Sequence, residues 1–248
     1  MPSKSKPAAT DPQDGPPTFK GFTPAAFQFF KDLAANQDRD WFAANKHIYD
    51  SQVLAPMTAV VHDLGDKLRL RGIPLQSSAK TPSSAIFRIY RDVRFSKNKS
   101  PYKTHIGAVL TRDGQKLSPG VMYLHVEPAG SFAASGFYQS EPDVLAEIRS
   151  VIASHGKDLL KRLAKVEAAG FTLEPDETAL KRPPRGYDDI TDPALQALLR
   201  RKSMIYKLPL TQAALKSPKI VGVLADFSAA TLPLLQFGWD AVDSRSTL

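Results

Sequence analysis

The 248-residue chain contains no cysteine. Disulfide bonds, thiol catalysis and thiolate metal ligands are therefore excluded, because each of them needs a cysteine sulfur. The chain also lacks the GxxxxGK(S/T) phosphate loop, the GxGxxG dinucleotide turn, the GxSxG nucleophile elbow and the HExxH zinc helix. A function must consequently be argued from clusters of residues that are less specific than these patterns.

Long apolar runs are scarce as well. We find none of the roughly 20 residues that a membrane span needs, and the N-terminus carries no apolar stretch typical of a secretory signal. Residues 1–17 are rich in Pro, Ser and Lys, so we predict a disordered tail there and one domain over 18–248. We expect a soluble cytoplasmic protein without a membrane partner.

Acidic residues are fewer than basic ones. The chain has 33 Lys and Arg against 25 Asp and Glu, which gives a formal net charge of +8. A basic excess of this kind favours acidic partners such as nucleotides, phosphorylated metabolites or nucleic acid.

Helical and strand-like periods are segregated along the chain. Helical spacing dominates before residue 70 and after residue 141, with expected breaks at Pro56 and Pro233. Strand-like segments lie between these regions, at 85–94, 104–110, 120–127 and 130–138. Short connections between neighbouring strands predict an antiparallel sheet. We therefore predict an α+β domain with a central antiparallel sheet of about four to six strands and helices mainly on one face.

The segment Phe87–Leu110 reads FRIYRDVRFSKNKSPYKTHIGAVL and concentrates cations against a single acid, Asp92. Arginine forks match pairs of phosphate oxygens, and lysines add movable point charges. We therefore expect a small anionic, phosphate-bearing ligand at a basic strand–turn–strand motif, and leave open whether catalysis accompanies binding. The expected ligand-binding residues are Arg88, Arg94, Lys97, Lys99, Tyr102 and Lys103.

Arg91 differs from its basic neighbours. If 85–94 is a strand, Arg91 shares its face with apolar residues such as Ile89 and Val93. A guanidinium on that face needs a partner, because an unpaired buried charge is costly. We expect a structural ion pair with Asp32, Asp40 or Glu127.

Two other functions are compatible with the same residues. Aromatic side chains are interleaved with the cations, as in modules that bind single-stranded nucleic acid. Alternatively, the segment is a solvated basic face of a structural or protein-interaction domain. Steep weakening of binding by salt would favour the nucleic-acid module.

Candidates for acid–base catalysis are weak. Asp92, His125 and Glu127 are the residues considered, but Asp92 lies among arginines that favour its ionised form. In the predicted strand 120–127, His125 and Glu127 lie on the polar face. Together with His105 they are suitable ligand types for a transition metal. The register of the two strands is not fixed by the sequence, so we expect no metal and no cofactor.

The central stretch FRIYRDVRFSKNKSPYKTHIG is similar to the signature of a bacterial and fungal family catalogued as domain of unknown function 2461. Three further segments agree: FKGFTPAAFQFFKDLAANQDRDWFAANKHIYD, VMYLHVEPAGSFAASGFYQSEPDVLAEIRSVI and LKRPPRGYDDITDPALQALLRRKS. The resemblance spans about residues 19–210 and implies a single α+β domain. It brings no established activity, substrate or cofactor. The matching central positions are Arg88, Arg91, Asp92, Arg94, Phe95, Lys97, Lys99, Pro101, Tyr102 and Lys103.

Overall fold

A computed structural model describes residues 18–77 and 82–245. Within these residues, four strands form one antiparallel sheet in the order β1-β2-β3-β4. The strands are β1 (Ile106–Thr111), β2 (Val121–Val126), β3 (Phe132–Phe137) and β4 (Met204–Pro209). The predicted α+β class and antiparallel sheet are confirmed. The predicted tail at 1–17 lies outside the described residues.

Along the chain, helices precede β1, separate β3 from β4 and follow β4. They are α1 (Pro24–Ala35), α2 (Arg39–Ile48), α3 (Ala55–Leu70), α4 (Pro142–Ala168), α5 (Pro193–Arg200), α6 (Gln212–Leu215) and α7 (Ile220–Arg245). Helix α2 begins directly after Asp38, whose carboxylate accepts from the N–H groups of Asp40 and Trp41. Helix α5 is capped in the same way by Asp192, whose carboxylate accepts from the N–H groups of Ala194 and Leu195.

The two predicted proline breaks have different outcomes. A π-helical segment, Tyr49–Leu54, joins α2 to α3 just before Pro56. A proline removes a donor and its ring clashes with the carbonyl four residues earlier, and a wider π turn relieves this conflict. Pro233, in contrast, lies inside α7, which continues through it; the predicted interruption there is wrong.

The two faces of the sheet differ in their neighbours. Along β2, Met122, Leu124 and Val126 are buried in the main hydrophobic cluster. Helix α7 packs against β3 on this side and α3 packs against β1, while α4 packs on α7. The alternate residues of β2, among them Tyr123 and His125, are half-buried on the opposite face. The predicted division of β2 into an apolar and a polar face is therefore confirmed.

One predicted strand is wrong and one strand was missed. Within 85–94 the structure has only isolated bridges, between Ile86 and Ala108 and between Tyr90 and Tyr102. This segment first bonds to β1 and then to residues 101–103, so it forms no continuous ladder with either neighbour. Strand β4 escaped prediction because its partner, β3, is distant in sequence and its own pattern is short and ends at a proline.

Helix α7 is the most apolar element. By length and composition alone, Ile220–Ser244 is sufficient to cross a membrane, although half of its apolar stretch is buried inside the fold. The helix contacts α3, α4 and β3, as the core helix of a folded domain does. The absence of a membrane partner stays a prediction.

A buried hydroxyl pair connects α7 to the sheet. The Oγ atoms of Ser135 and Thr231 lie 2.8 Å apart, both residues are 0% exposed, and Thr231 also donates to the carbonyl of Phe227. Thr231→Val should destabilise the protein by about 1–3 kcal/mol, because the Ser135 hydroxyl is then buried without its partner.

Urea unfolding of a double-mutant cycle measures this coupling. Thr231→Val combined with Ser135→Ala should cost less than the sum of the single changes. Ser228→Ala serves as the matched control, since Ser228 bonds to Leu224 in its own helix. Strict additivity of the Thr231 and Ser135 changes would contradict the prediction.

Candidate functional site

The half-buried face of the sheet carries a cluster of ionisable side chains at the β1–β2 end. Ile106 pairs with Val126 and Gly107 pairs with His125. In this register, His105 directly precedes β1 at the point where Glu127 directly follows β2. Ligand atoms of His105, His125 and Glu127 all lie within 4.8 Å of one another. We call these three residues the histidine–glutamate cluster.

The ring of His125 is fixed by its neighbours on the same face. It stacks on Phe132 with centroids 4.8 Å apart and an interplanar angle of 11°. Its Nδ1 lies 3.1 Å from the hydroxyl of Tyr123, and its Nε2 lies 3.5 Å from Oε2 of Glu127. The two ring nitrogens therefore face different partners. The ring of His105 is adjacent, with its centroid 4.3 Å from that of His125.

Two glycines leave room for this arrangement. A Cβ at Gly107 would lie 2.3 Å from the Tyr123 hydroxyl, and a Cβ at Gly130 would lie 2.3 Å from Oε1 of Glu127. Any side chain at either position would displace these groups.

Burial controls the protonation of the cluster. Burial, reinforced by the nearby charges of His125 and Lys103 and opposed by Glu127, lowers the pKa of His105 to about 4. Burial also lowers the pKa of His125, although Glu127 opposes this shift. Burial raises the pKa of Tyr123 to about 12. At neutral pH the cluster therefore presents two neutral imidazoles, whose lone pairs are free to accept.

An open cleft of about 320 Å³ adjoins the cluster. We call it the hairpin cleft, because residues 90–102 form one of its sides. His105 belongs to both the cleft and the cluster. The cleft is lined by Ala34, Gln37, Arg91, Asn98, Ser100, Tyr102, Lys103, Thr104 and His105.

Arg91 lines this cleft and is half-buried. Its backbone N–H donates to the carbonyl of Pro101 at 2.9 Å. Among the described residues, its guanidinium makes no ion pair, so the expected partnership with Asp32, Asp40 or Glu127 is absent from this structure. The sequence indicated that Arg91 differs from its neighbours, but it did not predict that Arg91 faces a cleft.

Two of the other predicted ligand residues are engaged within the hairpin itself. Arg94 is paired with Asp92 at 2.7 Å on the exposed surface, and Lys99 donates to the carbonyl of Val93 at 3.1 Å. Arg88 and Lys97 are exposed and do not line the cleft.

Lys103 and Tyr102 do line the hairpin cleft. Lys103 donates to the carbonyl of Arg88 at 2.9 Å. Tyr102 is 4% exposed and stacks on Phe42, with ring centroids 4.4 Å apart, so its ring is mainly structural.

The three catalytic candidates do not all meet. The hydrogen bonds from Arg94 lower the pKa of Asp92, which stays ionised on the exposed hairpin. His125 and Glu127 lie together in the cluster on the sheet.

The family described as Conserved hypothetical protein (DUF2461) matches residues 25–237. The chain belongs to this family. No curated protein and no solved structure matches this chain. The resemblance inferred from the central motif is thereby confirmed, and the DUF2461 match extends beyond it into α7.

Sequence reasoning missed several residues of the cleft in this DUF2461 chain. Gln37, between α1 and α2, accepts from the backbone N–H of Tyr102 at 3.1 Å and so attaches the hairpin to the helices. Asn98, Ser100 and Thr104 also line the cleft. Only their position inside the basic segment could have singled them out.

The protonation of His105 yields a pH-dependent stability. The folded-state pKa, about 4, lies below the unfolded value near 6.5. The neutral form therefore stabilises the fold above about pH 6.5, and this contribution should be lost as the pH falls towards 4. In EDTA-containing buffer, urea unfolding from pH 7 to pH 4 should show a smaller loss of stability for His105→Gln than for the wild type. Parallel curves for the two proteins would contradict the assigned burial effect.

Proposed function

We propose that this chain binds a small anionic, phosphate-bearing ligand in the hairpin cleft. The observation that carries the proposal is Arg91, a half-buried guanidinium that lines the cleft and has no acidic partner among the described residues. A guanidinium that is not neutralised by a carboxylate keeps its five donors available, and their fork geometry matches phosphate oxygens.

The remaining lining supports the same ligand class. Lys103 provides a second cation, and Asn98, Ser100 and Thr104 provide amide and hydroxyl groups. A few polar groups of this kind fix the orientation of a small ligand, and the volume falls at the lower end of the usual range of about 300–1,000 Å³.

Local charge also favours an anion. Burial, together with the positive charges of Arg88 and Lys116, lowers the pKa of Lys103. Cations that crowd one another in this way are relieved by a bound anion. The proposal keeps the ligand class expected from the sequence, but it replaces the expected arginines, Arg88 and Arg94, by Arg91.

A thermal-shift titration with inorganic phosphate tests the site. Phosphate should raise the melting temperature of the wild type, and Arg91→Gln should weaken phosphate binding about tenfold or more, because a charge-assisted hydrogen bond is lost. Lys97→Gln is the matched control, since it also removes one cation from the hairpin but lies outside the cleft. An equal loss in both variants would indicate only a general effect of charge, and no shift in the wild type would reject the proposal.

Nucleic-acid binding is the second candidate, and one observation favours it. Phe95 is 95% exposed, and the guanidinium of Arg94 lies 5.9 Å from its ring centroid. An exposed aromatic ring beside a cation is a stacking platform for an unpaired base.

A titration with single-stranded DNA or RNA at two salt concentrations tests this candidate. If the hairpin binds nucleic acid, affinity should fall steeply with salt, and Phe95→Ala should cost about 1–3 kcal/mol per stacked base. Leu117→Ala removes another side chain that is 95% exposed and should have no effect. Should neither phosphate nor nucleic acid bind, a structural domain with a solvated basic face is the remaining interpretation.

A further inference from the structure

We propose that His105, His125 and Glu127 bind one divalent first-row transition-metal ion. The proposal rests on the geometry of the histidine–glutamate cluster and not on the anion site. The sequence contained suitable residue types for this site, but it did not fix the register of the two strands that carry them.

The first step is the position of the three donors on the backbone. His125 lies in β2, and Glu127 and His105 directly flank the paired ends of β2 and β1. Residues two apart on a strand project to the same side, so His125 and Glu127 share a face, and the register brings His105 beside them. Donors at the ends of paired strands are more accurately placed than donors on a loop.

The second step is distance and chemistry. Zinc ligands lie about 2.0–2.2 Å from the ion, so tetrahedral neighbours are about 3.4 Å apart. The ligand atoms here are all within 4.8 Å of one another, and small side-chain rotations close the difference. Two imidazoles and one carboxylate form a donor set used for zinc and for non-haem iron.

The third step is the orientation of His125. The hydroxyl of Tyr123 lies 3.1 Å from Nδ1, which leaves Nε2, on the Glu127 side, as the metal ligand. A metal-bound histidine almost always has such a partner on its second nitrogen. Here the phenol oxygen would accept from the Nδ1–H, and Phe132 holds the ring plane by stacking.

A simple histidine–glutamate ion pair explains the cluster less well. The separation of 3.5 Å between His125 and Glu127 is longer than an ordinary hydrogen bond. His105 is half-buried, and within the described residues its ring nitrogens have no hydrogen bond or ion pair, although the ring lies directly beside His125. An ion pair does not account for a second imidazole with a ring nitrogen within 4.8 Å of the same carboxylate, whereas a shared cation does.

The coordination should be incomplete. Three protein ligands are typical of sites that keep a position for water or substrate, while structural zinc sites have four. Because His105 also lines the hairpin cleft, the open positions would face that cleft.

Metal binding can be measured with Zn²⁺ and Co²⁺ on untagged full-length protein that has been stripped with a chelator. Calorimetry should give one Zn²⁺ per chain for the wild type, and Co²⁺ should produce a visible absorption band. His105→Ala, His125→Ala and the nearly isosteric Glu127→Gln should each weaken binding at least 100-fold. Tyr123→Phe, which removes the partner of Nδ1, should weaken it about 10- to 100-fold.

His62→Ala is the matched control. His62 lies 3.3 Å from a carboxylate oxygen of Asp63 and 3.6 Å from one of Asp66, so it tests whether any surface histidine beside acids binds the ion. This variant should bind Zn²⁺ like the wild type. Arg91→Gln should also bind Zn²⁺ normally, which separates failure of the metal site from failure of the anion site.

Two outcomes would overturn the proposal. One is a wild-type protein that binds no Zn²⁺ or Co²⁺ at micromolar concentrations. The other is wild-type affinity retained by Glu127→Gln and His125→Ala proteins whose circular dichroism and melting curves show that they are folded.

Discussion

The pairing of β1 with β2 is the constraint on which the candidate site depends. Strand residues alternate between faces, so a shift of one residue would move His125 to the other side relative to its partners on β1. In the observed register Gly107 is opposite His125, and this glycine leaves the space that the Tyr123 hydroxyl occupies. The register that pairs β1 with β2 therefore also determines the position of the His125 imidazole.

The sequence predicted the composition of this site better than its geometry. The alternation in β2 was sufficient to separate the apolar residues from Tyr123, His125 and Glu127. It was not sufficient to align β2 with β1, because residues 112–120 form a connection too long to fix the register as a two-residue hairpin does. A metal site depends on the relative positions of residues on different strands. The sequence could therefore name the three residues as suitable ligands, but it could not predict that they lie close together.

The basic segment shows the opposite limitation. Its alternating aromatic and charged residues mimic a strand, yet its backbone divides its hydrogen bonds between β1 and residues 101–103. Phe95, which directly follows the predicted strand, is exposed. The unusual environment of Arg91 was detectable, because a cation among apolar neighbours needs an explanation. Arg91 faces a cleft and not a carboxylate because of the tertiary packing, which local sequence patterns do not predict.

The isolated bridges at the margins of the sheet have a consequence for how the protein behaves among its own copies. Beside β1, isolated bridges pair Gln76 with Thr111 and Ile86 with Ala108; beside β4, one bridge pairs Leu173 with Tyr206. Each contact occupies part of a strand edge that would otherwise present a continuous row of unpaired N–H and C=O groups, the template on which foreign strands add. Segments without regular secondary structure thus cover part of both edge strands, β1 and β4, and hinder the addition of strands from other copies of the protein.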